Sequence, residues 1–324
     1  MRATVVENIR TKPAARDVIS NRQGLAALLG CEADFIAAVA LEPKRYYTEF
    51  AIPKRNGELR PIKPPCKALR IVQRSLLGRV YQRVRIPPWM HGGVPKKSIL
   101  THARAHVGKT MVFTLDVRKF FPSTSAGHIA PVLAALGFVE EAAEDVISLV
   151  MLENSLPQGA PTSSMLANLA FAPSDTLFFE FCHRHGLFYS RYVDDIAISG
   201  DRDFASLKGT FIGFIRASGY DVAGDEKVNP MPRGSRQVVT GLVVNEKLRP
   251  TSTYIGDLKH EIRLCLERGA YEVALSEGTT IAGLKNRLTG QACHVQSVDP
   301  KLGKKLRGLL CGIEWRKPRV ATAS

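Results

Sequence analysis

The sequence predicts an α/β protein, and three observations support that fold class: strand patterns, helical patterns and the composition of a folded chain. The apolar run 111–115 ends at Asp116 and is typical of a buried strand, and the runs 187–191 and 196–199 predict a β-hairpin. Apolar residues spaced three and four apart predict helices at 125–136, 140–152, 161–183 and 203–217. Among 324 residues, 45% are hydrophobic and 23% are charged, which excludes wholesale disorder and a coiled-coil rod.

The chain begins with a predicted helical cap, because apolar residues between 25 and 39 indicate two short helices that break near Gly30. A helical pattern also continues from Tyr254, and 13 Lys and Arg against 7 Asp and Glu lie between 249 and 319. We therefore divide the chain into an N-terminal helical cap, a central α/β domain and a basic, helical C-terminal domain, at 1–43, 44–245 and 246–324.

Positive charge is concentrated in residues 44–85, where twelve Lys and Arg against two Glu give a local net charge of +10. The whole chain has 45 Lys and Arg against 30 Asp and Glu, a net charge of +15 and a pI near 9.7. Within this basic block, Asn56-Gly57 predicts a β-hairpin, and the apolar spacing up to Val84 predicts a helix. A basic helix can be merely a solvated face, but so much charge favours a polyanionic partner, with nucleic acid ahead of a membrane.

The cysteine and hydropathy patterns bear on where the protein acts. Six cysteines are scattered without a CxxC pair, which predicts neither a disulfide scaffold nor a zinc finger and favours a reducing compartment. The sequence has no stretch of about 18 apolar residues, and its N-terminus lacks the apolar core of a secretory signal. We therefore expect a cytoplasmic protein without a membrane partner.

Three carboxylates are the candidates for chemistry. Asp116 ends an apolar strand, and Asp194 and Asp195 occupy the turn between the two later strands. Carboxylates are the hard oxygen ligands that Mg²⁺ and Mn²⁺ prefer, and two such ions can activate a 2′ or 3′ hydroxyl and neutralise a departing pyrophosphate. Because side chains alternate along a strand, we expect one of the adjacent acids to lie nearer Asp116 and to ligate, while the other supports it. Aspartate is also common in turns for structural reasons, so the Asp-Asp pair alone does not show a metal site.

The surrounding residues favour the catalytic interpretation, because three ordered blocks resemble those of reverse transcriptases. The blocks are Phe113-Thr-Leu-Asp-Val-Arg-Lys-Phe-Phe-Pro-Ser123, Leu156-Pro-Gln-Gly-Ala-Pro-Thr-Ser-Ser164 and Tyr189-Ser-Arg-Tyr-Val-Asp-Asp-Ile-Ala-Ile-Ser199. The similarity continues upstream through 52–62 and covers about residues 45–245. It implies a right-hand polymerase, with fingers, a palm built on an RRM-like antiparallel sheet, and then an α-helical thumb.

The resemblance implies a role for the acids and for an aromatic residue. Asp116, Asp194 and Asp195 match the family's catalytic acids, which bind two Mg²⁺ ions, with Mn²⁺ as an alternative. Phe121 matches an aromatic gate beside the sugar of the incoming nucleotide, where a ring excludes a ribose 2′-OH and favours DNA synthesis. The neighbouring Phe120 is expected to be ordinary core.

Other matched positions are implied to contact the incoming dNTP. Gln158 and Gly159 match the loop beside the nucleotide and template, where a glycine allows close backbone approach. Arg60 and Lys63, in the basic hairpin, are implied to contact the triphosphate, to which guanidinium and ammonium groups are suited. Lys227 falls where the family often has a lysine near the leaving pyrophosphate.

Two further segments resemble bacterial retron enzymes within the family. Val239-Thr240-Gly241, in a predicted strand at 237–244, matches the subgroup's VTG signature and is assigned to recognition of the cognate RNA. His91-Gly-Gly resembles part of an insertion that follows the first basic block.

The subgroup's Asn-Ala-x-x-His pattern is matched only in part. Ala103 and His106 match, whereas His102 replaces the asparagine, which weakens the subgroup assignment. The two histidines lie four residues apart on a predicted helix, but the sequence offers no third ligand, so a structural role is favoured over zinc.

The resemblance implies an RNA-directed DNA polymerase that copies part of a structured noncoding RNA into short single-stranded DNA (msDNA), primed from an RNA 2′-OH, in anti-phage defence. The expected partners are that RNA, the DNA product, dNTPs, a toxin or effector protein and a host RNase H. The alternatives are another bacterial class (group II intron-like, diversity-generating, CRISPR-associated or abortive-infection) and an RNA-binding scaffold with an inert palm. The three intact acids and Phe121 are evidence against the scaffold.

Overall fold

The computed structural model describes residues 17–53, 57–224, 228 and 230–317. A four-stranded antiparallel sheet lies at the centre of this structure. The strands are β1 (Phe50–Pro53), β2 (Leu59–Ile62), β3 (Met111–Asp116), β4 (Phe188–Tyr192), β5 (Asp195–Gly200), β6 (Met231–Pro232), β7 (Val238–Val239), β8 (Leu242–Val243) and β9 (Arg249–Pro250). The α-helices are α1 (Arg22–Leu29), α2 (Ala33–Leu41), α3 (Lys67–Arg83), α4 (Ile99–Arg104), α5 (Phe120–Ser123), α6 (Ala126–Ala135), α7 (Glu140–Val150), α8 (Ser163–Ala170), α9 (Ala172–Arg184), α10 (Lys208–Arg216), α11 (Ser252–Arg268), α12 (Ala270–Ser276), α13 (Ile281–Val298) and α14 (Pro300–Cys311).

The central sheet has the strand order β4-β5-β3-β6, and all its pairs are antiparallel. The three strands predicted from apolar runs are therefore confirmed. Strand β3 is buried along most of its length and pairs with β5 from Met111 opposite Gly200 to Asp116 opposite Asp195. This register places an acid from each strand at the same edge of the sheet.

Most predicted helices are confirmed, and two are corrected. The helix predicted at 161–183 is two helices, α8 and α9, which break at Phe171. Pro173 lies in the first turn of α9, where its missing N–H is tolerated, whereas in the interior of one continuous helix it would cost a main-chain hydrogen bond. The helix predicted at 203–217 begins with the 3₁₀ turn Ala205–Leu207 before α10.

The predicted basic hairpin is formed by β1 and β2, which pair from Phe50 opposite Ile62 to Pro53 opposite Leu59. Residues 54–56 at its tip lie outside the described residues. Helix α3 follows, and it buries the apolar stripe that its spacing predicts, namely Leu69, Val72, Leu76 and Val80. Arg83, near the end of α3, is buried with this stripe and donates to the Leu136 carbonyl, so not every basic side chain of the block faces outwards.

Helices α1 and α2 are separated at Gly30, whose φ of 71° closes α1. Their buried residues, such as Leu25 and Ile36, belong to the same apolar core as the central sheet. Among the described residues, no single helix is long and apolar enough to cross a membrane, and α1 and α2 pass that test only together, as a pair bent by 112°.

Helices α11 to α14 enclose an apolar core of their own, with Leu258, Leu284 and Leu306 at its centre. Helices α13 and α14 pack closely, because a Cβ at Gly303 would lie 2.2 Å from the Cα of Gln296. Hairpin, antiparallel sheet and helical C-terminal unit together form the predicted right-hand fold of fingers, palm and thumb. The domain boundaries at 43/44 and 245/246 remain predictions.

Candidate active site

The three predicted acids meet at one edge of the palm sheet. Asp116 is the last residue of β3, Asp195 is the first residue of β5 and its partner in the register, and Asp194 lies in the turn from β4. Two main-chain hydrogen bonds hold this edge: the amide of Val117 donates to the Asp194 carbonyl (3.1 Å), and the amide of Ala223 donates to the Asp116 carbonyl (2.8 Å). Antiparallel pairing thus brings together carboxylates that are far apart in the sequence.

These carboxylates are crowded, and the pKa of each is raised. Burial, followed by the charge of Asp194, raises the pKa of Asp116 to about 6, and Arg60 opposes the shift. Burial, followed by the charges of Asp194 and Asp116, raises the pKa of Asp195 to about 7. Burial also raises the pKa of Asp194. Like charges held in a partly desolvated place are stabilised by a bound cation.

The donor set fits a divalent metal ion. Mg²⁺ is usually held by one or two carboxylates together with water and substrate phosphates, rather than by a cage made only of protein. Within the described part of the chain, no three His, Cys, Asp or Glu side chains are grouped so that they could hold a metal ion by themselves. An ion held by Asp116 and Asp194 would need further ligands, such as water.

A cavity of about 690 Å³ opens beside Asp116 and Asp194. Its wall contains six of the residues predicted to bind metal or nucleotide, namely Arg60, Lys63, Asp116, Phe121, Gln158 and Asp194. Asp195 instead lines a second cavity, of about 490 Å³, which Asp194 also reaches. The two adjacent acids thus have different surroundings. Lys227, predicted near the pyrophosphate, lies outside the described residues.

Lys63 is engaged by acidic side chains at the rim of the larger cavity. Its Nζ lies 3.0 Å from the Glu153 carboxylate and 3.6 Å from that of Glu49, and Lys44 lies 2.7 Å from Glu153. Hydrogen bonds from Lys44 and Lys63 lower the pKa of Glu153 to about 2. Any anionic ligand of the Lys63 ammonium would therefore have to compete with Glu153. Glu153 was missed by sequence reasoning, since no local pattern pairs it with lysines of the distant basic block.

Gly159 makes its close approach to the fingers, and it does not line the larger cavity. Its φ is 109°, and a Cβ at this position would lie 3.0 Å from Cγ2 of Ile62 and 3.4 Å from the nitrogen of Pro64. The amide of Lys63 donates to the Gln158 carbonyl at 2.7 Å, so the loop and the hairpin are joined through their backbones. The buried Oε1 of Gln158 has no hydrogen-bond partner among the described residues and can accept from a ligand.

The two adjacent phenylalanines both line the larger cavity, but they differ in burial. Phe120 is 2% exposed and packs against the rings of Phe171 and Tyr220, with centroids 5.7 Å and 5.4 Å away. Its predicted place in the core is confirmed. Phe121 is half-buried in the wall of the larger cavity. Its role as a sugar gate stays a prediction.

The VTG segment forms a tight turn, so the continuous strand predicted at 237–244 is wrong. Strands β7 and β8 pair directly, with Val239 opposite Leu242. The two residues between them have positive φ, 44° for Thr240 and 78° for Gly241. A two-residue hairpin turn of this kind matches the twist of the flanking strands. The apolar residues on both sides of the turn gave the appearance of one strand.

The turn and the acids share the second cavity, which Asp194, Asp195, Thr240 and Gly241 line together. The Val239 side chain is fully buried in an apolar cluster that joins the palm to the C-terminal end of α13. Of the three residues assigned to RNA recognition, only Thr240 and Gly241 therefore face open space beside the acids.

His102 and His106 connect palm segments. Both ring nitrogens of His106 are in use, since Nδ1 lies 2.7 Å from Oγ of Ser199 and Nε2 lies 2.7 Å from Oγ of Ser190. Burial holds the pKa of His106 well below its usual range and lowers that of His102 to about 3. Nδ1 of His102 lies 3.4 Å from Oγ1 of Thr240, so the histidine in place of the expected asparagine touches the VTG turn. These partners favour the structural role over zinc.

Comparison with known proteins gives one family. Residues 52–220 match the family described as reverse transcriptase (RNA-dependent DNA polymerase). The chain is 30% identical to the Retron Mx65 reverse transcriptase of Myxococcus xanthus, over 92% of this chain and 71% of that protein. It is 28% identical to the Retron Mx162 reverse transcriptase of the same organism, over 91% and 67%. Among solved structures, a telomerase from Candida albicans aligns with a TM-score of 0.44 and 11% identity, over 84% of this chain and 58% of that chain.

Proposed function

This chain belongs to the reverse transcriptase family and is an RNA-directed DNA polymerase of the retron type, and from that premise we propose that it copies part of a structured noncoding RNA into short single-stranded DNA. The cavity beside Asp116 and Asp194 carries the proposal, because its wall also contains Arg60, Phe121 and Gln158. Metal-binding carboxylates, a guanidinium suited to phosphate, an aromatic ring and an amide are groups suited to nucleotidyl transfer from a dNTP to a primer hydroxyl, with pyrophosphate as the leaving group.

Enzymes of this family use divalent metal ions, and we propose two Mg²⁺ ions, or Mn²⁺ in their place. Asp116 and Asp194 would hold them, and Asp195 would support the site from the second cavity. When bound, such ions activate the attacking hydroxyl and neutralise the departing pyrophosphate. Burial, followed by the charges of the neighbouring acids, raises the pKa of Asp116 and Asp195, and this supports the assignment because a bound cation stabilises the charged carboxylates.

The protein's own groups bind and orient the dNTP in this proposal. Arg60 binds triphosphate oxygens through its guanidinium, which offers two parallel N–H donors. Lys63 adds a second positive charge once the triphosphate displaces Glu153. Gln158 and Gly159 shape the loop beside the nucleotide and template, with the Gln158 side chain on the cavity and the glycine against the fingers. The contact of Lys227 with the pyrophosphate rests on the sequence alone.

The biological setting is proposed from the same family. Synthesis would start from a 2′-OH within the RNA, and the msDNA would act with a toxin or effector protein in defence against phage. A host RNase H would remove the copied template. All six cysteines are free, which fits the reducing cytoplasm as the place of action.

The proposed product can be tested by sequencing the nucleic acid that copurifies with the protein. We expect one defined RNA joined to a short DNA, because primer and template belong to the same molecule. The matched control is the Asp194→Asn protein, which should carry the same RNA without DNA. Recovery of RNA alone from the active protein, or of DNA with no RNA attached, would contradict the proposal.

The thumb and the VTG turn are proposed to select the cognate RNA, whereas the basic block 44–85 holds template and triphosphate without reading sequence. Helix α14 exposes Lys301, Lys304, Lys305 and Arg307 opposite its buried face. Phosphate contacts of this kind position an RNA, but discrimination needs shape or unpaired bases, because the A-form major groove is too narrow for side chains. The competing interpretation is a thumb that clamps any RNA–DNA duplex through charge.

Exchange of residues 236–324 with the matching segment of a related retron enzyme separates these interpretations. We expect the chimera to initiate on the RNA of the segment's donor, because shape-selective contacts move with the segment. The measurement is primed synthesis on both RNAs at physiological salt, where non-specific attraction is screened. A chimera that initiates only on the RNA of the original enzyme would show that recognition lies elsewhere.

A further inference from the structure

Arg191 is a fully buried arginine close to the turn that carries Asp194. Its guanidinium makes a bidentate ion pair with Asp175, from Nε to Oδ1 at 2.8 Å and from Nη2 to Oδ2 at 2.5 Å. Its Nη1 donates to Oδ1 of Asn168 at 2.7 Å. Burial of an ion pair is costly, and such a pair is weak evidence for a gain in stability. The placement of this guanidinium therefore calls for another explanation.

The same Nη1 also donates to the main-chain carbonyl of Val193, at 2.6 Å. Val193 has a φ of 59°, a left-handed conformation that is strained for a β-branched residue. Strained backbone of this kind persists only where the surroundings hold it. Since Asp194 follows Val193 directly, the bond to this carbonyl constrains the peptide that sets the direction of Asp194.

Gly92 closes on the turn from another side. A Cβ at this position would lie 2.5 Å from the nitrogen of Val193 and 2.8 Å from the carbonyl carbon of Tyr192, so a larger residue does not fit. Nδ2 of Asn168 donates to the Gly92 carbonyl at 2.8 Å. Asn168 therefore binds the guanidinium with one end of its amide and the glycine segment with the other.

The segment that ends at Gly92, residues 89–92, is also hydrogen-bonded to the main chain of Arg191. The amide of Arg191 donates to the carbonyl of Trp89 (2.9 Å), and the amide of His91 donates to the carbonyl of Arg191 (2.8 Å). The segment that resembles a retron insertion thus runs alongside β4 and ends against the turn of the acids.

We propose that Arg191 is a positioning residue for DNA synthesis, which acts on the acids through the Val193 carbonyl. Asp175 fixes the guanidinium, and Asn168 couples it to Gly92, so that the turn is held from two sides. This inference rests on the proposed role of Asp194. Arg191 keeps the Asp194 carboxylate in the orientation that the reaction needs. A displacement of 1 Å at a reacting centre costs about 10²-fold in rate.

The pair Arg22 and Asp145 provides a matched control. Arg22 donates to the buried Asp145 in the same bidentate way, at 2.9 Å and 2.7 Å, but joins α1 to α7 and lines neither cavity beside the acids. The test compares Arg191→Lys with Arg22→Lys, because lysine keeps the charge and loses the planar fork of donors. Asn168→Ala is the second variant, because it removes the amide that joins the guanidinium to Gly92.

Primer extension is measured for each folded protein, together with the melting temperature and the affinity for RNA. For Arg191→Lys we expect kcat to fall on the order of 10²-fold while the KM for dNTP and the RNA affinity stay within about twofold. Asn168→Ala should also lower kcat, by a smaller factor. Arg22→Lys should lower the melting temperature and leave kcat within about twofold.

The inference is overturned if Arg191→Lys keeps the turnover of the parent protein, or if Arg22→Lys loses as much turnover at a similar melting temperature. Should Arg191→Lys not fold, Asn168→Ala decides by the same two criteria. Asp194→Asn is run alongside. If that protein stays active, the proposed role of the acids fails, whereas failure of this inference alone leaves Asp194→Asn inactive and Arg191→Lys active.

Discussion

An Asp194→Asn protein is expected to fold and bind its RNA but to make no DNA above background. Loss of one carboxylate removes charge stabilisation of several kcal/mol in the transition state, which at about 1.4 kcal/mol per decade lowers the rate by 10² or more. Asp116→Asn and Asp195→Asn are expected to act in the same direction. The measurement is Mg²⁺-dependent extension of a primed RNA template, with RNA affinity measured separately.

The stability of these variants provides an independent check. The pKa values of Asp116, Asp194 and Asp195 are raised in the folded chain, chiefly by burial. A raised carboxyl pKa means that the folded state disfavours the charge, so each acid costs stability once the pH exceeds its ordinary pKa. Without metal, the three Asn variants should therefore melt at or above the temperature of the parent protein at pH 8.

Asp201 supplies the matched control for the acids. It lies just beyond the other end of β5, where its carboxylate pairs with Lys109 at 2.7 Å. Asp201→Asn should retain full synthesis, because this exposed pair lies away from both cavities of the site. Normal extension by Asp194→Asn, or an equal loss in Asp201→Asn, would disprove the assignment.

The sequence predicts much of the palm because its signals are local. Residues 111–115 form a strand since they are continuously apolar, and Gly30 separates two helices since glycine accepts a positive φ at low cost. The two-residue turn at Thr240 and Gly241 escaped prediction, because apolar residues flank it on both sides. The break at Phe171 was missed because the apolar spacing runs across it without interruption.

The candidate site is less accessible to local patterns, because its residues meet only through the fold. The strand pattern suggested that Asp116 and Asp194 share a site, but only the resemblance to a family favoured that interpretation over an ordinary turn. The ion pair of Lys63 with Glu153 joins residues 90 positions apart, and nothing in either segment predicts it. Arg191 is only three residues before Asp194 in the sequence. Its hydrogen bond to the Val193 carbonyl could still not be predicted, because it depends on the buried partners that orient the guanidinium.

Substitution of Phe121 is expected to change the discrimination between deoxyribonucleotides and ribonucleotides. Its ring lies in the wall of the cavity shared by Asp116, Asp194 and Arg60, and the resemblance places it beside the sugar of the incoming nucleotide. A ring in that position leaves no space for a 2′-OH. Alanine removes the ring without introducing a polar group, so the excluded volume becomes available to a ribonucleotide.

Phe121→Ala is therefore expected to lower the preference for dNTP over rNTP by at least about 10-fold, a change in transition-state discrimination of about 1.4 kcal/mol. The measurement is kcat/KM for a dNTP and the matching rNTP on one primed template. Phe211→Leu is the control, because this fully buried ring of α10 packs against Phe113 and lines neither cavity beside the acids, so its loss should lower the melting temperature without changing the sugar preference. A folded Phe121→Ala protein with unchanged sugar preference would show that the ring serves packing alone, and the selection of deoxyribose would then have to come from another wall of the cavity.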